Sequence, residues 1–163
     1  MISPKCFHEH LTNAGIAFFT GVPDSLLQEY CSYVDSVMAP ESHVISANEG
    51  SAVAIAAGFY LGTGGLPLVY MQNSGLGNAV NPLMSLADPE VYSIPIVILM
   101  GWRGSPGMRD EPQHLKQGRV TPAMLKAMEI PWMEIGVDEQ SAKNAAEWAA
   151  ETAKSTKGPV VLM

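Results

Sequence analysis

Glu49 stands in HVISANEGSAVAIAAG, residues 43–58, between a short apolar run and a row of small residues. A carboxylate so placed can do acid–base work, and the small residues Ser51, Ala52, Ala54, Ala56, Ala57 and Gly58 let another backbone or a flat ring come close. It can equally be a first-turn acid stabilised by the helix dipole, worth about 0.3–1 kcal/mol, with the small residues serving helix-on-sheet packing. Three further stretches place polar side chains among apolar segments: GVPDS (21–25), QNSGLGN (72–78) and GWRGSPGMRDEPQH (101–114). Asp24 and Ser25 can face a ligand or cap a helix, a cap being worth about 1 kcal/mol. Asn73, Ser74 and Asn78 offer amides and a hydroxyl, or turn the chain around Gly75 and Gly77. His114 can exchange a proton near neutral pH or sit solvated on a loop. Arg103, Arg109, Lys116 and Arg119 gather in the last stretch and its flank. A guanidinium grips a doubly charged oxyanion through paired, charge-assisted hydrogen bonds, although an exposed loop also carries solvated charges.

Several other chemistries lack their patterns. GLGNAV (75–80) has Val80 where a dinucleotide fingerprint needs its third glycine, and GxxxxGK[ST] is absent. Ser25, Ser51 and Ser74 with His114 have no GxSxG elbow to support hydrolysis. Cys6 and Cys31 lie far apart, without CxxC or a histidine spacing suited to zinc, so no disulfide framework and no metal site is expected. Lys plus Arg number 9 against 16 Asp plus Glu, and a net charge of −7 argues against a nucleic-acid partner. The polar N-terminus is no signal peptide, and no apolar run approaches the roughly 18 residues of a membrane span. A soluble, cytoplasmic protein is the expectation.

The elements that must position these residues alternate. The chain has 163 residues and 47% apolar content, enough for one α/β domain with a real core. Helices are expected at 3–14, from Asp24 or Ser25 to about 36, and at 49–61, 78–86, 121–128 and 139–154. Apolar strands are expected at 16–22, 43–47, 66–72, 95–101, 131–136 and 158–163. Continuous apolar strands between helices imply an open, mostly parallel sheet with helices on both faces. Ligands bind beyond the carboxyl ends of such strands, which gathers all four polar stretches into one site. Because the chain stops inside an apolar strand, residues 1–163 are expected to be a subunit of a larger assembly or a domain of a longer chain.

GVPDSLL, ISANEGSAVAIAAGFYLGTG, YMQNSGLGNAVNPLMSL and WRGSPGMRDEPQHLKQGRVTPAMLKAMEIPW carry a resemblance over residues 7–163. They resemble the pyrimidine-binding (PYR) domain of thiamine-diphosphate-dependent 2-oxoacid decarboxylases, especially the phosphonopyruvate branch. The ANEG and NSGLGNAVNPL blocks are shared with sulfopyruvate enzymes, and DEPQH discriminates better. In that family a glutamate at the place of Glu49 hydrogen-bonds N1′ of the aminopyrimidine and favours its protonated form, so that the 4′-amino group can take the thiazolium C2 proton. The resemblance also implies cofactor contacts from Asn73, Ser74, Gly75 and Asn78. It implies catalytic groups in Asp24, Ser25 and His114, and a phosphonate site in Arg103, Arg109 and Lys116. The GDG motif that binds diphosphate through Mg²⁺ in such enzymes is missing. The metal ligands are therefore expected from a diphosphate-binding (PP) domain or subunit, in a homo- or hetero-oligomer, and the chain alone should be catalytically incomplete. The implied reaction turns 3-phosphonopyruvate into phosphonoacetaldehyde and CO2. Alternatives are the α subunit of a sulfopyruvate decarboxylase and a non-enzymatic binding module of the same fold.

Overall fold

A computed structural model describes residues 2–163. Helix α1 (Pro4–Asn13) starts where Ser3 Oγ accepts the Cys6 N–H at 3.1 Å, with proline in the first turn, where its missing N–H costs nothing. It leads into β1 (Ile16–Gly21), and α2 (Gln28–Val37), β2 (His43–Ile45), α3 (Glu49–Thr63) and β3 (Leu66–Gln72) follow. After β3 come a 3-10 turn (Asn73–Gly75), α4 (Leu76–Pro82) and a π turn (Leu83–Ala87). The chain ends with β4 (Ile96–Gly101), α5 (Pro112–Ala127), β5 (Trp132–Met133), α6 (Glu139–Thr156) and β6 (Pro159–Leu162). All pairings are parallel, in the order β2-β1-β3-β4-β6-β5. The expected open parallel sheet is therefore found.

Helices cover both faces because the central strands are apolar on both. Leu68, Tyr70, Val97 and Leu99 face a core shared with the alanine stripe of α6 and with Leu11 and Val34. Their neighbours Val69, Met71, Ile98 and Met100 face the opposite core, built on α3, α4 and α5 through Ala52, Ala56, Leu76 and Leu125. Alternate residues of one strand thus feed separate cores, as the two-residue period of a strand requires.

Two helix starts differ from expectation, both beside the polar loops. Helix α2 begins at Gln28 rather than at Asp24 or Ser25. Asp24 closes a turn instead: its Oδ2 accepts the Leu26 N–H at 3.2 Å and its carbonyl accepts the Leu27 N–H at 3.1 Å. Helix α5 begins at Pro112, well before the expected 121, so His114 lies in its first turn and not on a loop. Thr121-Pro122 imitates a helix start, yet Pro122 is internal to the helix. Pro122 has no N–H for the Gly118 carbonyl, and the Trp102 indole supplies one, Nε1–H donating to Gly118 O at 2.9 Å. The helix near 78–86 is also more irregular than expected, since its 3-10 and π turns flank a short α segment ending at Pro82.

Gly118 is where α5 touches the β4 loop. A Cβ there would fall 1.8 Å from Gly104 O and 2.6 Å from Arg103 O, both backbone atoms that cannot swing away. Gly118→Ala should therefore destabilise the fold by about 1–3 kcal/mol in urea unfolding. Gly58 in α3 has nothing within 4 Å of its would-be Cβ, so Gly58→Ala should be neutral or gain up to about 1 kcal/mol. Equal effects of the two substitutions would show that the loop is not held by this contact.

Candidate active site

The register of the sheet brings the four polar stretches together. Gly21 at the end of β1 pairs with Ile45 and Tyr70, and Gln72 at the end of β3 pairs with Gly101. The residues that follow Gly21, Ile45, Gln72 and Gly101 thus emerge side by side at the carboxyl edge.

Glu49 is the first residue of α3, after Asn48, whose Oδ1 caps the helix by accepting the Ser51 N–H at 2.9 Å. The partly buried carboxylate accepts a hydrogen bond from Asn78 Nδ2 on Oε2, at 2.8 Å. Beneath it lies Gly75, where a Cβ would come 2.4 Å from Glu49 Cγ and Oε1. Gly50 allows the reciprocal approach, since a Cβ there would meet Asn78 O at 2.8 Å. The two helix starts therefore interlock through glycine. Glu49 can accept a hydrogen bond from a protonated ring nitrogen, and Gly75 keeps the space beside it free of side chain.

Asp24 is 6% exposed. Its Oδ1 has no partner, while a Cβ on Gly101 would lie 2.0 Å from Oδ2. Burial pushes this carboxyl up from its ordinary value, and the Leu26 and Ser25 N–H groups and Arg103 pull it partly back. Asp24 lines a cleft of about 290 Å³ with Pro23, Ser25, Gln28, Cys31 and Tyr70. An acid with a raised pKa beside such a cleft is suited to exchanging a proton with a ligand.

The fourth stretch closes on Asp110. Arg103 donates to it through Nε (2.9 Å) and through a second nitrogen on the other oxygen. The backbone N–H groups of Gly104 and Glu111 donate at 2.7 Å each. A carboxylate only accepts, so His114 carries its proton on Nδ1 and donates to Oδ1 at 2.9 Å. Arg103 and His114 hold the Asp110 carboxyl well below the usual carboxylate range. Arg103 also reaches the β1 loop, donating to Ser25 Oγ at 2.8 Å.

Of the residues singled out from sequence, Glu49, Gly75 and Asn78 form one contact group, and Ser25, Arg103 and His114 meet in a second. Asn73 is buried, and its amide serves Arg103: Oδ1 accepts the Arg103 N–H at 3.0 Å, while Nδ2 donates to Arg103 O (3.0 Å) and Thr121 Oγ1 (3.1 Å). Ser74 is exposed and accepts from Gln72 Nε2 at 2.6 Å. Arg109 and Lys116 are exposed and, among the described residues, neither has a carboxylate within 4.0 Å. Asp110, Thr121 and Gly101 were not singled out. Asp110 had a signal, since it stands four residues before His114 and just before a Pro-started helix. Among the described residues the four loops hold no group of three His, Cys, Asp or Glu whose ligand atoms lie within 4.8 Å of one another.

The depressed acidity of Asp110 sets a pH dependence. Its folded pKa lies below the unfolded value of about 3.9, so its stabilisation is complete above that pH and is lost as the pH falls through the folded value. Asp110→Asn should lower the thermal midpoint at neutral pH, and the gap from the parent should narrow below about pH 4. A gap unchanged down to about pH 2 would mean that Asp110 contributes by shape and not by charge.

Residues 5–130 match the model of the thiamine pyrophosphate enzyme, N-terminal TPP binding domain. A phosphonopyruvate decarboxylase of Streptomyces hygroscopicus is 43% identical over 132 residues, which cover 81% of this chain and 32% of that protein. The chain thus spans about a third of the length of that relative. A sulfopyruvate decarboxylase subunit alpha of Methanothermobacter thermautotrophicus is 32% identical over 161 residues, covering 99% of this chain and 94% of the subunit. Benzoylformate decarboxylase from Polynucleobacter necessarius shares the fold, with a TM-score of 0.77 at 23% identity over 98% of this chain and 29% of that one. Among the described residues no helix is long and apolar enough to cross a membrane. With the match running from α1 through α5 and taking in all four loops, the chain belongs to the family of N-terminal TPP-binding domains of thiamine pyrophosphate enzymes.

Proposed function

We propose that this chain is the pyrimidine-binding part of a thiamine-diphosphate-dependent decarboxylase that converts 3-phosphonopyruvate into phosphonoacetaldehyde and CO2. A PP domain or subunit supplies the Mg²⁺ site, and the active form is an oligomer of the two parts. The observation that carries this reading is the Glu49 carboxylate, held by Asn78 over Gly75 in a chain of this family.

When bound, the cofactor supplies the electron sink for the bond to CO2. The chain's own residues bind, orient and move protons. Glu49 holds a proton at the pyrimidine ring nitrogen, with Asn78 fixing the carboxylate and Gly75 leaving the ring room. Asp24, with its raised pKa and one free oxygen, exchanges a proton beside the substrate. His114, oriented through Nδ1 by Asp110, leaves Nε2 for a second proton transfer. Asn73 and Arg103 are positioning residues, the first holding the β4 loop and the second tying it to Asp110 and Ser25. Arg109 and Lys116 supply the charge for the phosphonate.

Turnover should require a PP-domain partner with thiamine diphosphate and Mg²⁺, and be absent with the chain alone. In the reconstituted enzyme Glu49→Gln keeps the shape but removes the charge, so C2 proton exchange should slow by about 10²–10⁴-fold with folding unaffected. Unchanged exchange would reduce Glu49 to a helix-start residue.

One observation favours a second reading. The alignment spans 94% of a sulfopyruvate decarboxylase subunit alpha, so a stand-alone chain of this extent has a counterpart there. A phosphonate carries nearly two negative charges near neutral pH and a sulfonate one. Charge-assisted bonds are worth about 1.5–3 kcal/mol, so Arg109→Ala should lower kcat/KM for phosphonopyruvate by about 10–150-fold and for pyruvate very little. Should Arg109→Ala and Lys116→Ala both leave that ratio unchanged, the loop does not read the phosphonate. If sulfopyruvate is the better substrate of the unaltered enzyme, the second reading replaces the first.

A further inference from the structure

Outside the four polar stretches, α1 and α6 bring together three side chains that are all metal ligands by chemistry. Cys6 and His10 are four residues apart on α1 and so share one face of the helix. Glu139, the first residue of α6, completes the group. Cys6 Sγ lies 3.4 Å from His10 Nε2, and His10 Nε2 lies 3.9 Å from Glu139 Oε1. The three ligand atoms all fall within 4.8 Å of one another, and among the described residues no other trio of His, Cys, Asp or Glu does so.

These separations can be compared with those a metal imposes. Tetrahedral zinc holds sulfur and nitrogen ligands at about 2.3 and 2.0 Å, which places S and N about 3.5 Å apart and N and O about 3.3 Å apart. The Cys6–His10 separation already fits. Glu139 has to approach by about half an ångström, a shift open to a side chain that is 75% exposed on the first turn of its helix. His10 is 18% exposed, so the partly enclosed pair is fixed and the mobile carboxylate closes on it. A thiolate and a carboxylate together balance a divalent charge, and the S, N, O donor set suits zinc and its neighbours and not Mg²⁺. Three ligands leave a fourth position for water.

We propose that Cys6, His10 and Glu139 bind one divalent transition-metal ion of the zinc type, which pins α1 to the start of α6. The two helices already pack through Leu11 and the alanines at 142, 145, 146 and 149, so the ion closes the open end of an existing contact. The site is independent of the proposed decarboxylase reading, because none of its ligands belongs to the four polar stretches. It also revises the expectation from sequence that the cysteines mark no metal site. The Cys-x3-His pair was visible, but its third ligand comes from the far end of the chain.

Cobalt(II) is the probe, since a thiolate bound to it gives a charge-transfer band that neither imidazole nor carboxylate produces. Titration of the full chain without a purification tag should show that band saturating at one equivalent, and zinc should displace it. Cys6→Ser should abolish the band, and His10→Ala and Glu139→Gln should each weaken binding by at least about tenfold. Cys31→Ser should leave the titration unchanged. Far-UV circular dichroism establishes that each variant is folded, and Glu139→Gln, at an exposed position, tests the site even if Cys6→Ser does not fold. Absence of the band up to millimolar cobalt, its survival in folded Cys6→Ser, or unaltered affinity in Glu139→Gln would overturn the proposal.

Discussion

Asn73 does at the ends of β3 and β4 what a further rung of the ladder would have done. The strands pair as far as Gln72 and Gly101, and there the backbone stops exchanging hydrogen bonds. The Asn73 amide then accepts the Arg103 N–H and donates to the Arg103 carbonyl and to Thr121. Because the amide is buried, losing it would leave unpaired groups costing about 1–3 kcal/mol each, so the link is hard to give up. With the Arg103 backbone fixed, its guanidinium can meet Asp110 and Ser25, and Asp110 can meet His114. The arrangement of the first and fourth loops is therefore downstream of a side chain that has no amide hydrogen left for a ligand.

Glycine provides the other half of the arrangement. The Glu49 carboxylate rests where a Cβ of Gly75 would be, Asp24 where a Cβ of Gly101 would be, and the β4 loop where a Cβ of Gly118 would be. Each is an approach between polar groups and backbone at a distance that no other residue permits. Such contacts weaken the elements that contain them, since glycine within a helix costs about 0.5–1 kcal/mol. Asp24 adds its own penalty by burying an oxygen without a partner. These features lower stability and sit together at the edge of the sheet where the proposed site lies.

The sheet was legible in the sequence because its strands are continuous apolar runs, and LPLVYMQ matches β3 residue for residue. Glu49 and Asn78 were legible because each stands just where an apolar run gives way to small or polar residues. The start of α5 was not, because Pro122 imitates a beginning and only the Trp102 indole, reaching Gly118 O from another loop, makes an internal proline tolerable. Arg103 and Asn73 were legible as polar groups near the edge but not as partners of each other, since a pairing across 30 positions has no local signal. Asp110 was passed over although its spacing to His114 was a local signal, because its importance lies in the number of donors that converge on it, which is a property of the folded loop.

A net charge of −7 bears on how the proposed labour is divided. Thiamine diphosphate presents an aminopyrimidine at one end and a dense negative charge at the other. The carboxyl edge described here offers carboxylates at Glu49 and Asp24 for proton transfer, and Arg103 is already paired with Asp110. A diphosphate set beside Glu49 and Asp24 would meet like charge, since the exposed cations Arg109 and Lys116 are those proposed for the phosphonate, whereas a ring nitrogen that must gain a proton meets the acceptor it requires. On the proposed reading the cofactor lies across two surfaces, its ring on this one and its phosphates on a cation held elsewhere.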